Sequence, residues 1–483
     1  VSGEGQNITH QAKKMNEEAL LAFRDRFGLD LTDEQVRETA FHRPPDDAPE
    51  MVYLRERREA LGGALPARVT DADPLPVPEL SVFQTQLDGS GDREISTTMA
   101  FVRMLSTLLR DKELGPRIVP IVPDESRTFG MEGMFQQLGI FSQAGQLYTP
   151  QDAGQLMAYR EDRSGQILQE GINEPGAFSS WIAAATSYAN HGLTMVPFYI
   201  YYSMFGFQRV GDLAWAAGDS RARGFLLGGT AGRTTLNGEG LQHEDGHSHL
   251  QATLIPNCVT YDPAYAYELA VVVQDGLRRM VGDQEDVFFY ITLMNENYAQ
   301  PPMPAGAEEG ILRGIYSLGK ADGAPEVQLL GSGTILREVI AGAQLLADEF
   351  GVASEVFSVP SFTELRRDGM ATERWNRLHP SEPPRTPYLT TTLDEGGVPV
   401  VAATDYNRAL ADGIRQWVPG PYTVLGTDGF GRSDYRVALR RFFEVDRHHV
   451  VVAALHALGR GADAAEAIAR YGIAADTEAP WLT

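Results

Sequence analysis

Apolar and polar positions along this chain fall into two regimes. Through the first 75 residues, KKMNEEALLAFRDRFGL and APEMVYLRERREALGGAL read as helices that end near glycine. The intervening HRPPDDAPE and the following PARVTDADPLPVPEL are rich in Pro and Asp, so extended surface segments are predicted there. From about residue 92 the rhythm becomes strand, loop, helix. ISTTMAFVRMLSTLLRD predicts a helix and RIVPIVP a strand. TMVPFYIYYSMFGFQR predicts an aromatic strand turning into a helix, and GFLLGG follows it. NCVTYDPAYAYELAVVVQDGL reads as a strand and then a helix begun at Asp262-Pro263. VFFYITLMNENY is a further strand whose polar end should face a cleft.

Apolar strands alternating with helices imply largely parallel sheets covered on both faces. The composition shifts at LGKADGAPE (318–326), and the pattern restarts with VQLLGSGTILREVIAGAQLLADEFG. The expected fold class is therefore α/β, with two three-layer α/β/α domains. The divisions expected are a helical and extended lead-in over 1–75, a first domain over 76–320 and a second, smaller one over 321–483. In open α/β sheets ligands sit beyond the carboxyl ends of the strands, which favours Asp124, Glu125 and Asn295.

Composition narrows the function classes. Of 483 residues, 43% are hydrophobic and 22% charged, enough to build well-buried cores. The net charge of -24 opposes binding to nucleic acid or an anionic membrane, although it leaves a small anionic substrate open. One cysteine, Cys258, excludes an internal disulfide and suits a reducing compartment. There is no run of 18 apolar residues and no signal peptide precedes the first domain, so a soluble protein is expected. The opening Val1-Ser2-Gly3-Glu4 lacks a methionine, which suggests processing or a piece of something longer.

Several segments carry candidate chemistry. His243-Glu244-Asp245-Gly246-His247 is a literal H-E-x-x-H, but a zincin needs it on a helix. Gly238, Gly240 and Gly246 argue for a loop, so Glu239, His243, Asp245 and His247 look more like a catalytic loop than a zinc site. The alternative for His247 and His249 is that they are satisfied structural histidines. Gly331-Ser332-Gly333 and the GTDGFG run at 426–431 could cradle a phosphate, yet a tight turn is the plainer reading. Glu174 follows Glu170 by four positions. Its neighbourhood favours a strand or turn feeding a helix, where a functional carboxylate is possible. The run from Phe198 to Phe205 is either core or a platform for a flat heterocycle.

PDESRTFGMEGMFQQLGI, QILQEGINEPGA, PFYIYYSMFGFQRVGDLAWAAGD, GRTTLNGEGLQHEDGHSH, NENYAQPPMP, VQLLGSGTILREV, SFTELRRDG, RWNRLHP and LGTDGFGRSD together resemble the homodimeric pyruvate dehydrogenase E1 family. These are thiamine-diphosphate-dependent enzymes with a transketolase-like arrangement of three domains. The resemblance implies oxidative decarboxylation of pyruvate with reductive acetylation of the lipoyl group on an E2 acyltransferase. It implies a cytoplasmic bacterial homodimer, with no nucleic-acid or membrane partner. Glu174 matches the glutamate that hydrogen-bonds the cofactor's aminopyrimidine N1′, a role suited to a partly buried carboxyl with a raised pKa. Tyr202 and Phe205 match the aromatics beside the pyrimidine, and Asp124 and Glu125 match acidic residues of the cofactor pocket. His243 matches the histidine near the reacting substrate, and Glu239 its acidic neighbour. SQAGQLYTPQDAGQLMAYR resembles a mobile active-site loop.

The family's GDG…N motif, which holds Mg2+ and the diphosphate, has no counterpart here. No metal ligand is therefore expected in this chain, and the resemblance covers the second and third family domains. The alternatives are an inactive assembly fragment, another thiamine-dependent 2-oxo-acid dehydrogenase, or a transketolase-like enzyme.

Overall fold

The computed structural model describes residues 4–7, 9, 14–63, 72–123, 126–127, 129–151, 159–320, 323–393 and 396–483. The chain divides into two compact units, residues 1–68 and 69–483. The first is helical. Asn16 caps Glu17–Phe27 by accepting the Ala19 N–H, and Gly28 closes it in the left-handed region. A short helix, Asp33–Arg37, begins with a Thr32/Gln35 capping box, and Pro49–Ala60 begins with proline at its first position. Both predicted helices are thus present.

Among the described residues, the second unit contains two large sheets and two small two-stranded ones. In the first, strands β1 (Ile118–Val122), β2 (Leu168–Gln169), β3 (Val196–Tyr202), β4 (Phe225–Gly229), β5 (Cys258–Tyr261) and β6 (Phe288–Thr292) lie in the order β2-β1-β3-β4-β6-β5. Every pairing in it is parallel. Strand periodicity sorts the side chains between two cores. Phe198 and Ile200 join Phe101, Leu105, Val271 and Val272 on one face, beneath helices Thr97–Leu108 and Ala266–Leu277. Tyr199 and Tyr201 join Phe178, Trp181, Val210 and Ala214 on the other, beneath helices Glu174–Ala185 and Phe207–Asp219. Most of the aromatic run is therefore core, and only its carboxyl end leaves the sheet. Helix Ala266–Leu277 starts later than Asp262-Pro263 predicts. The Glu268 carboxylate accepts the N–H groups of Ala264 and Tyr265 at 2.6 and 3.1 Å, fixing the start one turn further on.

The second sheet comprises β7 (Tyr316–Lys320), β8 (Val327–Gly331), β9 (Ser354–Ser358), β10 (Val400–Ala403) and β11 (Tyr422–Leu425), ordered β7-β9-β8-β10-β11. Only β7 runs antiparallel, against β9, and it runs into the composition shift at 318–326. Helices Leu336–Phe350, Arg447–Ala457 and Gly461–Arg470 cover one face, through Val339, Leu346, Val450 and Ala467. Helix Phe362–Leu378 and Trp417 pack on the other. Two α/β/α layers with largely parallel sheets are what the sequence pattern requires. Cys258 is fully buried on β5.

Candidate active site

Strand β3 delivers its last residue, Tyr202, into a single 3₁₀ turn, Ser203–Phe205, before helix Phe207–Asp219 begins. That turn brings Tyr202 and Phe205 to the carboxyl edge of the sheet. Their rings meet nearly edge to face at 6.3 Å. The His243 imidazole stands edge-on to both, at 5.1 Å from Tyr202 and 5.2 Å from Phe205, and Phe129 packs on Tyr202 at 5.5 Å. Aromatic edges, not hydrogen bonds, hold this histidine: its Nδ1 is buried and has no partner among the described residues.

Glu174 is the first residue of helix Glu174–Ala185, capped by the Asn173 side chain and followed by Pro175. A carboxylate at a helix amino terminus is favoured by the helix dipole. It is buried, 8% exposed, and its Oε1 accepts a hydrogen bond from Arg209 Nη1 at 2.7 Å. The Arg209 guanidinium in turn covers the Phe205 ring, 4.2 Å from its centroid. One guanidinium therefore links the carboxylate to the aromatic group. Arg209 is the site residue that sequence reasoning missed, because an arginine in the first turn of an amphipathic helix reads as solvated surface. Glu170 lies elsewhere, as acceptor of the Ser180 hydroxyl at 2.6 Å. Burial first, and then the charges of Glu174 and Glu170, push the phenol of Tyr199 well above its ordinary range.

The H-E-x-x-H segment is not a zincin helix. Leu241–His243 forms one 3₁₀ turn and Glu244 leaves it at φ −85° and ψ 86°, outside the helical region, so the two imidazoles do not share a helical face. No cluster of three metal-ligating side chains occurs among the described residues. His247 Nδ1 lies 3.5 Å from Arg233 Nη2. His249 is a core histidine, with Nε2 3.0 Å from Thr292 Oγ1, and burial, opposed by the Asp245 charge, lowers it to about 4. Asp245 accepts the N–H groups of His247 and Ser248, each at 3.0 Å, which locks the loop. Burial, against the Arg432 N–H bond, raises Glu244 to about 7.

Glu239 is exposed on the same loop, beside Gly238, whose N–H donates to Asp434 O at 3.0 Å. Asn295 accepts from Arg436 Nη2 at 3.4 Å, a tie between the two sheets' domains. The two glycine runs take their plainer reading. Gly333 adopts φ +48° against Asp262, and the 426–431 run receives Arg233 Nη1 at Thr427 O, 2.5 Å away. Asp124 and Glu125 lie outside the described residues, as do 152–158 of the expected mobile loop. The structure thus brings Glu174, Tyr202, Phe205 and His243 together, with Glu239 nearby in sequence on the exposed part of the histidine loop.

The description "Pyruvate dehydrogenase E1 component middle domain" matches residues 75–301, and "Transketolase-like TK C-terminal domain" matches 314–446. The pyruvate dehydrogenase E1 component of Pseudomonas aeruginosa is 63% identical over 480 residues, covering 98% of this chain and 54% of its own length. That of Escherichia coli K12 is 55% identical over 490 residues, covering 100% of this chain and 55% of its own. The chain thus spans about half the length of these curated relatives. Transketolase from Leishmania mexicana superposes with a TM-score of 0.61 at 17% identity, over 92% of this chain and 58% of its own, a likeness of fold alone. On these matches the chain belongs to the pyruvate dehydrogenase E1 component family, of which it carries the middle and transketolase-like carboxy-terminal domains.

Proposed function

We propose that this chain supplies the aminopyrimidine-binding half of a thiamine-diphosphate-dependent pyruvate dehydrogenase active site. The observation that carries the reading is the buried carboxylate of Glu174, one guanidinium away from the Phe205 ring, at the carboxyl edge of a parallel sheet. A flat aminoheterocycle suits that donor set. Tyr202 and Phe205 offer apolar faces, and Glu174 offers a carboxylate to a ring nitrogen. When bound, the cofactor supplies the electron sink for decarboxylating a 2-oxo acid. Glu174 would hold a proton at N1′ of the pyrimidine, exchanging its arginine partner for the ring nitrogen. His243, edge-on to Tyr202 and Phe205, would stand beside the substrate and take or give a proton there.

Glu239 would act as the acidic neighbour of His243, and Asp124 and Glu125 as further cofactor-pocket groups. The Mg2+ and diphosphate end would be held by protein beyond the described residues, consistent with a chain that spans 54% of its Pseudomonas relative's length. The substrate proposed is pyruvate, the acceptor the lipoyl group of an E2 acyltransferase, and the assembly a homodimer.

The test joins the chain to the remaining portion that its relatives carry. CO2 release from pyruvate is then measured with thiamine diphosphate, Mg2+ and an artificial electron acceptor. Turnover with pyruvate is expected, with Glu174→Ala slower by roughly 10²- to 10⁴-fold. Ketol transfer from a sugar phosphate without pyruvate turnover would overturn the assignment, and no turnover in any assembled form would favour an assembly fragment.

A further inference from the structure

We infer that Glu244 is a positioning residue through which the carboxy-terminal domain seats His243. The inference rests on the reading of His243 given above. Edge-on contacts with Tyr202 and Phe205 confine the imidazole, and with Nδ1 unpartnered among the described residues the ring's placement depends on the backbone of the turn Leu241–His243. That turn ends at Glu244, which is fully buried. Glu244 Oε2 accepts the backbone N–H of Arg432 at 2.6 Å, a bond from the second domain to the residue next to His243.

The packing is close as well as bonded. A Cβ on Gly431 would lie 2.8 Å from Leu241 O and 2.9 Å from Glu244 Cβ, so only glycine lets the two segments approach this far. The contact continues along the loop. Asn407 N–H donates to Gly246 O at 2.7 Å, and Arg233 crosses to Thr427 O. A surface histidine loop would need none of this. A buried carboxyl whose Oε1 has no partner among the described residues is costly to fold around, and here its bond to Arg432 fixes the position of the neighbouring imidazole. Arg233 and Arg432 attract Glu244, while Asp405 repels its charged form. A neutral carboxyl is matched in shape and acceptor by glutamine, which supplies the conservative control.

The test uses the chain labelled with ¹³Cε1-histidine, the His243 signal being assigned with His243→Asn. Glu244→Ala should move or split the His243 resonance and leave that of His379, stacked on Trp375 at 4.5 Å, in place. Glu244→Gln should restore the His243 signal. If Glu244→Ala does not fold, Gly431→Ala presses on the same contact and should give the same His243 shift. An unmoved His243 signal in a folded Glu244→Ala or Gly431→Ala chain overturns the proposal, as does a glutamine variant displaced as far as alanine. In the assembled enzyme Glu244→Ala should lower kcat by roughly 10- to 100-fold with KM for pyruvate unchanged, and Glu244→Gln should recover it. If no form turns over pyruvate, the functional reading fails while the histidine resonances still decide the positioning role.

Discussion

Removing the Arg440 guanidinium should loosen the two sheets' domains from each other by breaking a buried ionic network. Arg440 is 5% exposed. Its Nη2 donates to Glu296 Oε2, and its Nη1 lies 3.4 Å from both Glu296 Oε1 and Glu338 Oε1. Glu296 follows strand β6 of the first sheet, while Arg440 and Glu338 belong to the second domain. Removing one partner of a buried pair costs about 3–5 kcal/mol, because the other charge is left uncompensated. Each carboxylate here keeps a second arginine, Arg337 at 2.8 Å from Glu296 and Arg447 at 2.9 Å from Glu338. Both of these are more solvent-exposed than Arg440, at 37% and 45%, so they compensate only in part. The lower end is therefore expected for Arg440→Met, about 3 kcal/mol, or roughly a hundredfold in the folded-to-unfolded ratio. Urea unfolding followed by circular dichroism, with an unchanged denaturant slope, measures it. The double variant Arg440→Met/Glu296→Gln should be more stable than Arg440→Met alone, since the orphaned charge is gone. A loss under about 1 kcal/mol, the range of an exposed pair, or a double variant no better than the single one, would refute the reasoning.

Two further outcomes follow from the carboxy-terminal domain. Burial raises the Asp446 carboxyl, but the His449 hydrogen bond and charge outweigh it and hold the group at about 2. Because that lies below the unfolded value of ~3.9, the stabilisation is present above about pH 4 and is lost as pH falls toward 2. Asp446→Asn should therefore cost about 2 kcal/mol at pH 5 and nothing at pH 2, and equal losses at both would count against the pairing. Gly369 faces Trp417 so closely that an added Cβ would sit 2.3 Å from the indole. Gly369→Ala should destabilise by about 1–3 kcal/mol and shift the tryptophan fluorescence, and Trp417→Phe in that background should relieve part of the loss.

The strands and helices were legible because their signals are local. Solidly apolar runs such as Phe288–Thr292 and Phe225–Gly229 specify buried parallel strands, and glycine or a capping side chain marks the helix ends. The long motifs were equally legible as a likeness to one enzyme family. The residue pattern offered Glu174, the aromatic run and His243 as separate candidates, and the family likeness implied that Glu174, Tyr202 and Phe205 share one cofactor ring. Tertiary structure decided that Tyr202 and Phe205 leave the aromatic run to meet His243, while their neighbours Tyr199 and Tyr201 go to the core. One residue of strand register separates these fates. It also decided that Arg209 belongs with Glu174 and that Glu244 answers to Arg432, 188 positions away. Periodicity and motif spacing depend on neighbours in the chain and can be read in one dimension. The partner of a buried charge depends on which loops two separate sheets bring to a common edge, and that is fixed only when both sheets have formed and packed.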